Sequence, residues 1–252
     1  MDITELSENL VGFGLILTRL SAFLLVLPIF GWRVLPVRIK MALVLLLTLF
    51  FGRLLPFSMD LHALSTVRLI LLMINEATYG LALGVIIAIL FSIVKTTGRI
   101  IEREMGLAMA EVIDPLSGDR TQPLGGLLEM IFILFFLSAN AHHALIQVIY
   151  ESYQSFPVGT TPTIDVLTRG VVEAGSALLT ASLRLAAPIL AAFIILLTVL
   201  AIMARVLPEM NILFLSMPVR VGLGLAMTMM ILPYLQGLVE EFGDLMNRLL
   251  PI

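Results

Sequence analysis

Four ionisable residues, Arg19, Glu76, Glu129 and Arg184, stand inside long apolar runs of this chain. A charge at a bilayer centre costs about 2.5–3.5 kcal/mol even on a lenient insertion scale, so each must face protein, water or an opposite charge. Two kinds of chemistry use such residues. One is an ion or proton pathway. The other is charge pairing between helices or subunits. A transport pathway groups several acids near one depth, and these residues are scattered, so pairing is expected. Glu76 is expected to pair with Arg19 or with Arg184. His142 and His143 are the remaining candidates. Adjacent positions on a helix point to different faces, and Glu129 lies too far along the helix to help, so no metal pair is expected. The expected place for a histidine here is a helix end, bonded to backbone or to a neighbouring subunit.

Enzyme signatures are missing. HExxH, GxSxG and GxxxxGKS/T do not occur, and the absence of cysteine removes thiolate chemistry. No catalytic residue and no cofactor is expected. A net charge of -3 gives no reason to expect nucleic acid as a partner.

The elements that carry these residues follow from composition. Hydrophobic residues make up 60% of the 252 positions and charged residues 13%. A soluble chain of this length needs more charge to cover its surface. Long apolar runs with few charges predict helices rather than the alternating strands of a barrel. The fold class is therefore all-α, a multi-helix integral membrane protein read as one unit over 1–252. Six spans are expected: Leu10–Phe30, Met41–Pro56, Leu69–Val94, Leu124–Ile149, Ala174–Ala204 and Met210–Leu235. The second is short for a bilayer and holds Arg53. The fifth is too long, and Pro188 is expected to kink it. The cluster Arg33, Arg38 and Lys40 after an acidic N-terminus places the first loop inside. Gly80, Gly84 and Ala88 recur on one helical face, a pattern that lets helices approach closely. Leu238, Phe242, Leu245 and Leu249 predict an amphipathic C-terminal helix, either lying along a surface or solvated as a tail.

One long polar stretch interrupts the apolar runs, Lys95 to Pro123, KTTGRIIEREMGLAMAEVIDPLSGDRTQP. A helix is expected over Lys95–Val112, with Ile101, Met105, Ala108 and Val112 on one face and Arg99, Glu102, Arg103 and Glu104 covering the rest. Pro115 should stop it at Asp114. Met105, Gly106 and Met109 suit a movable contact surface.

The run MGLAMAEVIDPLSGDRTQP, an apolar helix, and then NAHHALIQVIYESYQSFPVG together resemble the FliR-type export-gate family of flagellar and virulence type III secretion systems. In that family an Asp-Pro segment, an Asn-Gly-His helix end and a Ser-Phe turn follow one another. Here Asp114-Pro115, Asn140-Ala141-His142 and Ser155-Phe156-Pro157-Val158-Gly159 stand in those places. Ala141 replaces the usual glycine and the turn is abbreviated. Arg205, Pro208 and Asn211 match an Arg-x-x-Pro-x-x-Asn segment, and Gly31–Leu43 resembles a basic first loop. The resemblance implies a non-enzymatic gate component that packs with FliP-like and FliQ-like subunits in a hetero-oligomeric helical assembly. It also implies an FlhB-like docking partner and unfolded secretion substrates. The location it implies is the bacterial inner membrane at the flagellar basal body. It implies further that the segment Gly106–Pro123 plugs the channel, with Met105, Gly106, Met109, Asp114 and Pro115 at the constriction. The alternative from the residues alone is a small secondary transporter with Glu76 and Arg184 at a midplane site.

Overall fold

The structure, a computed structural model, describes residues 3–30, 36–55, 65–107, 123–160, 163–207 and 212–249. Among them every regular element is helical. The order is α1 (Ile3–Val26), a 3₁₀ turn (Pro28–Phe30), α2 (Val37–Leu54), α3 (Thr66–Met105), α4 (Pro123–Ser138), α5 (His142–Ser155), α6 (Ile164–Val206) and α7 (Ile212–Leu249). Prolines set several boundaries. Pro28 disfavours helix at Leu27, where α1 ends. Pro36 precedes α2 and accepts the first backbone bond, Ile39 N–H to Pro36 O at 3.0 Å.

The chain divides into two compact units. The first comprises 1–90, 140–175 and 242–252. Its core is built by Leu15, Ile16, Leu20 and Phe23 of α1, Phe51 of α2, Leu83 and Ile86 of α3, Val148 and Ile149 of α5, and Phe242 and Met246 of α7. Gly80 and Gly84 lie directly against the backbone of Arg19 and Phe23, leaving no room for a Cβ. The small residues predicted to permit close approach do so here between α3 and α1.

The second unit comprises 91–139 and 176–241. Leu124, Leu128, Phe132 and Phe136 repeat every fourth residue along the buried face of α4. Phe91 of α3 meets Phe132 and Phe136 edge-on, with ring centroids 5.5 and 5.0 Å apart. The Thr97 hydroxyl donates to Ile93 O at 2.9 Å and reaches Ser182 O at 3.3 Å, tying α3 to α6. Gly98 and Gly125 meet backbone to backbone.

The structure reduces the six candidate spans. Among the described residues three helices are long and apolar enough to cross a membrane: Thr66–Met105, Ile164–Val206 and Phe214–Met246. The fourth expected span is broken into α4 and α5 with a 75° bend, and counts as one crossing only if the bent pair is taken together. The apolar part of α1, Leu10–Val26, is shorter, and α2 carries Arg38, Lys40 and Arg53 in 18 residues. The separate C-terminal helix is also corrected: Leu238, Phe242 and Met246 are buried along a continuous α7.

Asn140 explains the bend. It takes a left-handed backbone, φ 57°, while Ala141 is ordinary at φ -66°. Asparagine tolerates this region because its short side chain bonds locally. The glycine expected at 141 is dispensable, since the strained residue is its neighbour. Asn140→Val should destabilise by about 1–2 kcal/mol and Asn140→Gly by little. Thermal melting of both variants in detergent checks this, and equal losses would refute it.

Candidate functional site

The first unit holds a buried charged centre. Arg19 and Glu76 have fully buried side chains, and Arg19 Nε donates to Glu76 Oε2 at 2.5 Å. Of the two arginines open to Glu76, the fold supplies Arg19. The guanidinium lies over Tyr153 and Tyr79, 4.2 and 4.7 Å from their centroids, a geometry that favours a cation on the ring face. Its remaining donors reach Phe156 O at 3.1 Å, Ser152 O at 3.2 Å and Thr160 O at 3.4 Å. Helix ends leave carbonyls without partners; Arg19 donates to Phe156 O just past the end of α5 and shares Ser152 O with the Phe156 N–H. The other oxygen of Glu76 accepts the Gly159 N–H at 2.7 Å. Gly159 has φ 87°, in a turn closed by Thr160 N–H to Pro157 O at 2.9 Å. Such a turn needs a positive φ at its third residue. The pair therefore clamps the turn 156–160 between α5 and α6.

The second unit holds the base of the polar segment. The helix expected to run to Asp114 stops at Met105, and Gly106 follows with φ 80°. Gly106 N–H donates to Arg103 O at 3.1 Å and Leu107 N–H to Glu102 O at 3.1 Å. These two bonds are a Schellman stop with glycine in the left-handed position, which satisfies the last carbonyls of the helix. Glu102 was expected away from the apolar face of that helix. It is buried instead, and its carboxylate accepts the N–H of Leu124 and, at 3.1 Å, that of Gly125. It caps the first turn of α4, where the helix dipole favours an anion. Pro123 needs no partner as the first helical residue.

The other expected residues are placed as follows. Glu129 pairs with Lys95 at 2.9 Å on a partly exposed face, a contact of little energetic weight. Arg184 is exposed on α6 and has no ion pair among the described residues. Met105 is buried with its side chain against Gly224 of α7. Arg205 is exposed in the last turn of α6. The His142 and His143 rings lie 4.3 Å apart at the start of α5. His142 Nδ1 is buried without a bonding partner among the described residues. Met109, Asp114, Pro115, Pro208 and Asn211 lie outside the described residues. Sequence reasoning passed over Arg220, inside the sixth apolar run, whose buried Nε finds no acceptor among the described residues.

Fold and site define a multi-helix membrane protein whose buried charges fasten helix ends and turns. The sequence matches "Bacterial export proteins, family 1" over residues 10–246, and the chain belongs to that family. It is 28% identical over 237 residues to the flagellar biosynthetic protein FliR of Escherichia coli, covering 94% of this chain and 90% of the relative. It is 30% identical over 221 residues to FliR of Bacillus subtilis, covering 86% and 84%. The Yop proteins translocation protein T of Yersinia pestis is 30% identical over 154 residues, 60% of this chain and 59% of that one.

Proposed function

We propose that this protein is a non-enzymatic subunit of a flagellar or type III export gate in the bacterial inner membrane. In this reading its two units act as one gate domain beside FliP-like and FliQ-like subunits. An FlhB-like protein docks on the assembly, and unfolded substrates pass through it. The segment 106–123 is the plug that closes the channel to ions, with Met105, Gly106, Met109, Asp114 and Pro115 at the constriction. The observation that carries this is the base of the segment. The chain leaves α3 through a glycine stop at Gly106 and re-enters at Pro123 under the Glu102 carboxylate. Gly98 and Gly125 lock the two helices together beneath it. A closing element needs such a fixed base if it is to move without disturbing the frame. The transporter alternative needs Glu76 and Arg184 at one site, but Glu76 is bonded to Arg19 and Gly159.

Deleting Glu111–Thr121 is expected to make assembled gates conduct ions. Ion flux across vesicles containing the gate measures this, with assembly checked by co-purification. Unchanged ion tightness in an assembled gate would remove the plug assignment.

A further inference from the structure

We propose that the first half of α7, residues 212–228, is an arm held against the end of α3 by one releasable contact, Met105 seated on Gly224. Release of this contact frees the base of the polar segment. The inference deepens the export-gate reading and rests on it only for what the release serves.

The two halves of α7 are held differently. Among the described residues from 212 to 230, those buried are Ser216, Gly224 and Thr228. Multiples of four separate them, so they share one face of the helix. Packing drives helix association in an apolar surrounding, and these side chains are small or absent. The Thr228 hydroxyl gives its hydrogen bond to Gly224 O of the same helix, at 2.7 Å. Further along, Ile231, Leu235, Leu238 and Val239 are buried. The second half is anchored by large apolar side chains, and the first half opens at lower cost. The backbone permits a bend there. Pro218 has no N–H to give Phe214 O. Gly222 is exposed, with nothing within 4 Å of where a Cβ would stand.

Met105 supplies the bulk that this face lacks. It is the last residue of α3 and is 1% exposed. Its side chain lies across Gly224, where a Cβ would stand 2.6 Å from Met105 Sδ and 3.1 Å from Cε. Glycine is unfavourable inside a helix, and Gly224 does not need a positive φ, so the packing uses the room it leaves. The contacts of α3 with α4 are of another kind. Gly98 and Gly125 meet backbone to backbone, and Glu102 holds two N–H groups of α4. Breaking these strips hydrogen bonds and loses register. A thioether chain with three rotatable bonds leaves a bare backbone and returns to it. The α3–α4 pair is therefore the fixed part, and the first half of α7 is what parts from it. Arg220, one turn before Gly224, opposes the seated state, because its buried Nε finds no acceptor among the described residues. Seated on Gly224, Met105 serves the constriction by fixing where the polar segment starts.

The test follows cleavage by added protease between residues 107 and 123 of the full-length chain in its native membrane. Gly224→Ala drives Met105 from its seat and should raise the cleavage rate about tenfold. Met105→Ala should do the same. The double variant should be no faster than either single, since one contact is broken only once. Gly222→Ala, two positions away and free of contact, should leave the rate unchanged. Wild-type cleavage in both Gly224→Ala and Met105→Ala overturns the proposal, and so does an equal rise in Gly222→Ala. The chain has no cysteine, so Met105→Cys with Gly224→Cys allows a single disulfide across the contact. Oxidising that pair should lower cleavage below wild type and abolish export, and reduction should restore both. Export at the wild-type rate from fully oxidised protein overturns the proposal, because release is then not used. If the oxidised pair blocks export while the plug deletion leaves assembled gates tight to ions, the plug assignment fails and the arm stands. If the plug deletion leaks ions while the oxidised pair exports freely, the arm fails and the gate reading stands.

Discussion

Arg19→Met is expected to destabilise the protein by about 3–5 kcal/mol, because it leaves Glu76 as a buried charge without its partner. That corresponds to a fall in melting temperature on the order of 10 °C for a chain of this size. The loss has more than one origin. The pair bond at 2.5 Å disappears, and so do the bonds to the carbonyls of Ser152, Phe156 and Thr160. The methionine also leaves the faces of Tyr79 and Tyr153 without a cation. Lysine cannot substitute, since one ammonium cannot span Glu76 and three carbonyls at once. Glu76→Gln should cost less, because its amide oxygen still accepts from Gly159. The double variant Arg19→Met, Glu76→Gln should cost less than the sum of the two, by about 1–3 kcal/mol of coupling. Exchanging the two charges should restore only part of the loss, since a glutamate at 19 would face carbonyl oxygens. Melting curves of the four proteins in detergent provide the measurement, and strict additivity would count against a coupled pair.

Glu102→Ala carries the second large effect, about 2–4 kcal/mol, because two buried N–H groups at the start of α4 lose their acceptor. Glu102→Gln keeps an acceptor but gives up the charge facing the helix dipole, and should cost about 1 kcal/mol. The consequence should concentrate at the base of the polar segment. Limited proteolysis between residues 107 and 123 should accelerate in Glu102→Ala, while cleavage elsewhere changes little. A uniform rise across the chain would mean that Glu102 stabilises the fold in general and does not fasten this segment.

These residues also show how far the sequence could be read. The charge inside an apolar run marked Glu76 as a residue that needed a partner, and marked Arg19 as one of two that could serve. It could not choose between them, because the choice depends on α1 and α3 meeting through Gly80 and Gly84. Glu102 was misread for a related reason. Helical periodicity placed it with Arg99 and Arg103 away from the apolar face, and the helix end that covers it comes from 22 positions later in the chain. Gly106 was read inside a helix running to Val112, whereas its backbone is the helix stop. The bend at Asn140 was hidden inside an unbroken apolar run, since hydropathy does not register a single left-handed residue.

The sequence by itself determined the class of this protein. Apolar runs of 20 and more residues with few charges leave the backbone no choice but helix in an apolar surrounding. The order of motifs along the chain was likewise enough to point to the export-gate family. Tertiary structure alone decided which arginine meets Glu76, which carboxylate caps α4, and how many helices are long enough to cross a membrane. The physical reason is that periodicity fixes which residues share a face of one helix. Which face of another helix it meets is set by packing between residues far apart in the chain, such as Arg19 with Ser152 and Phe156.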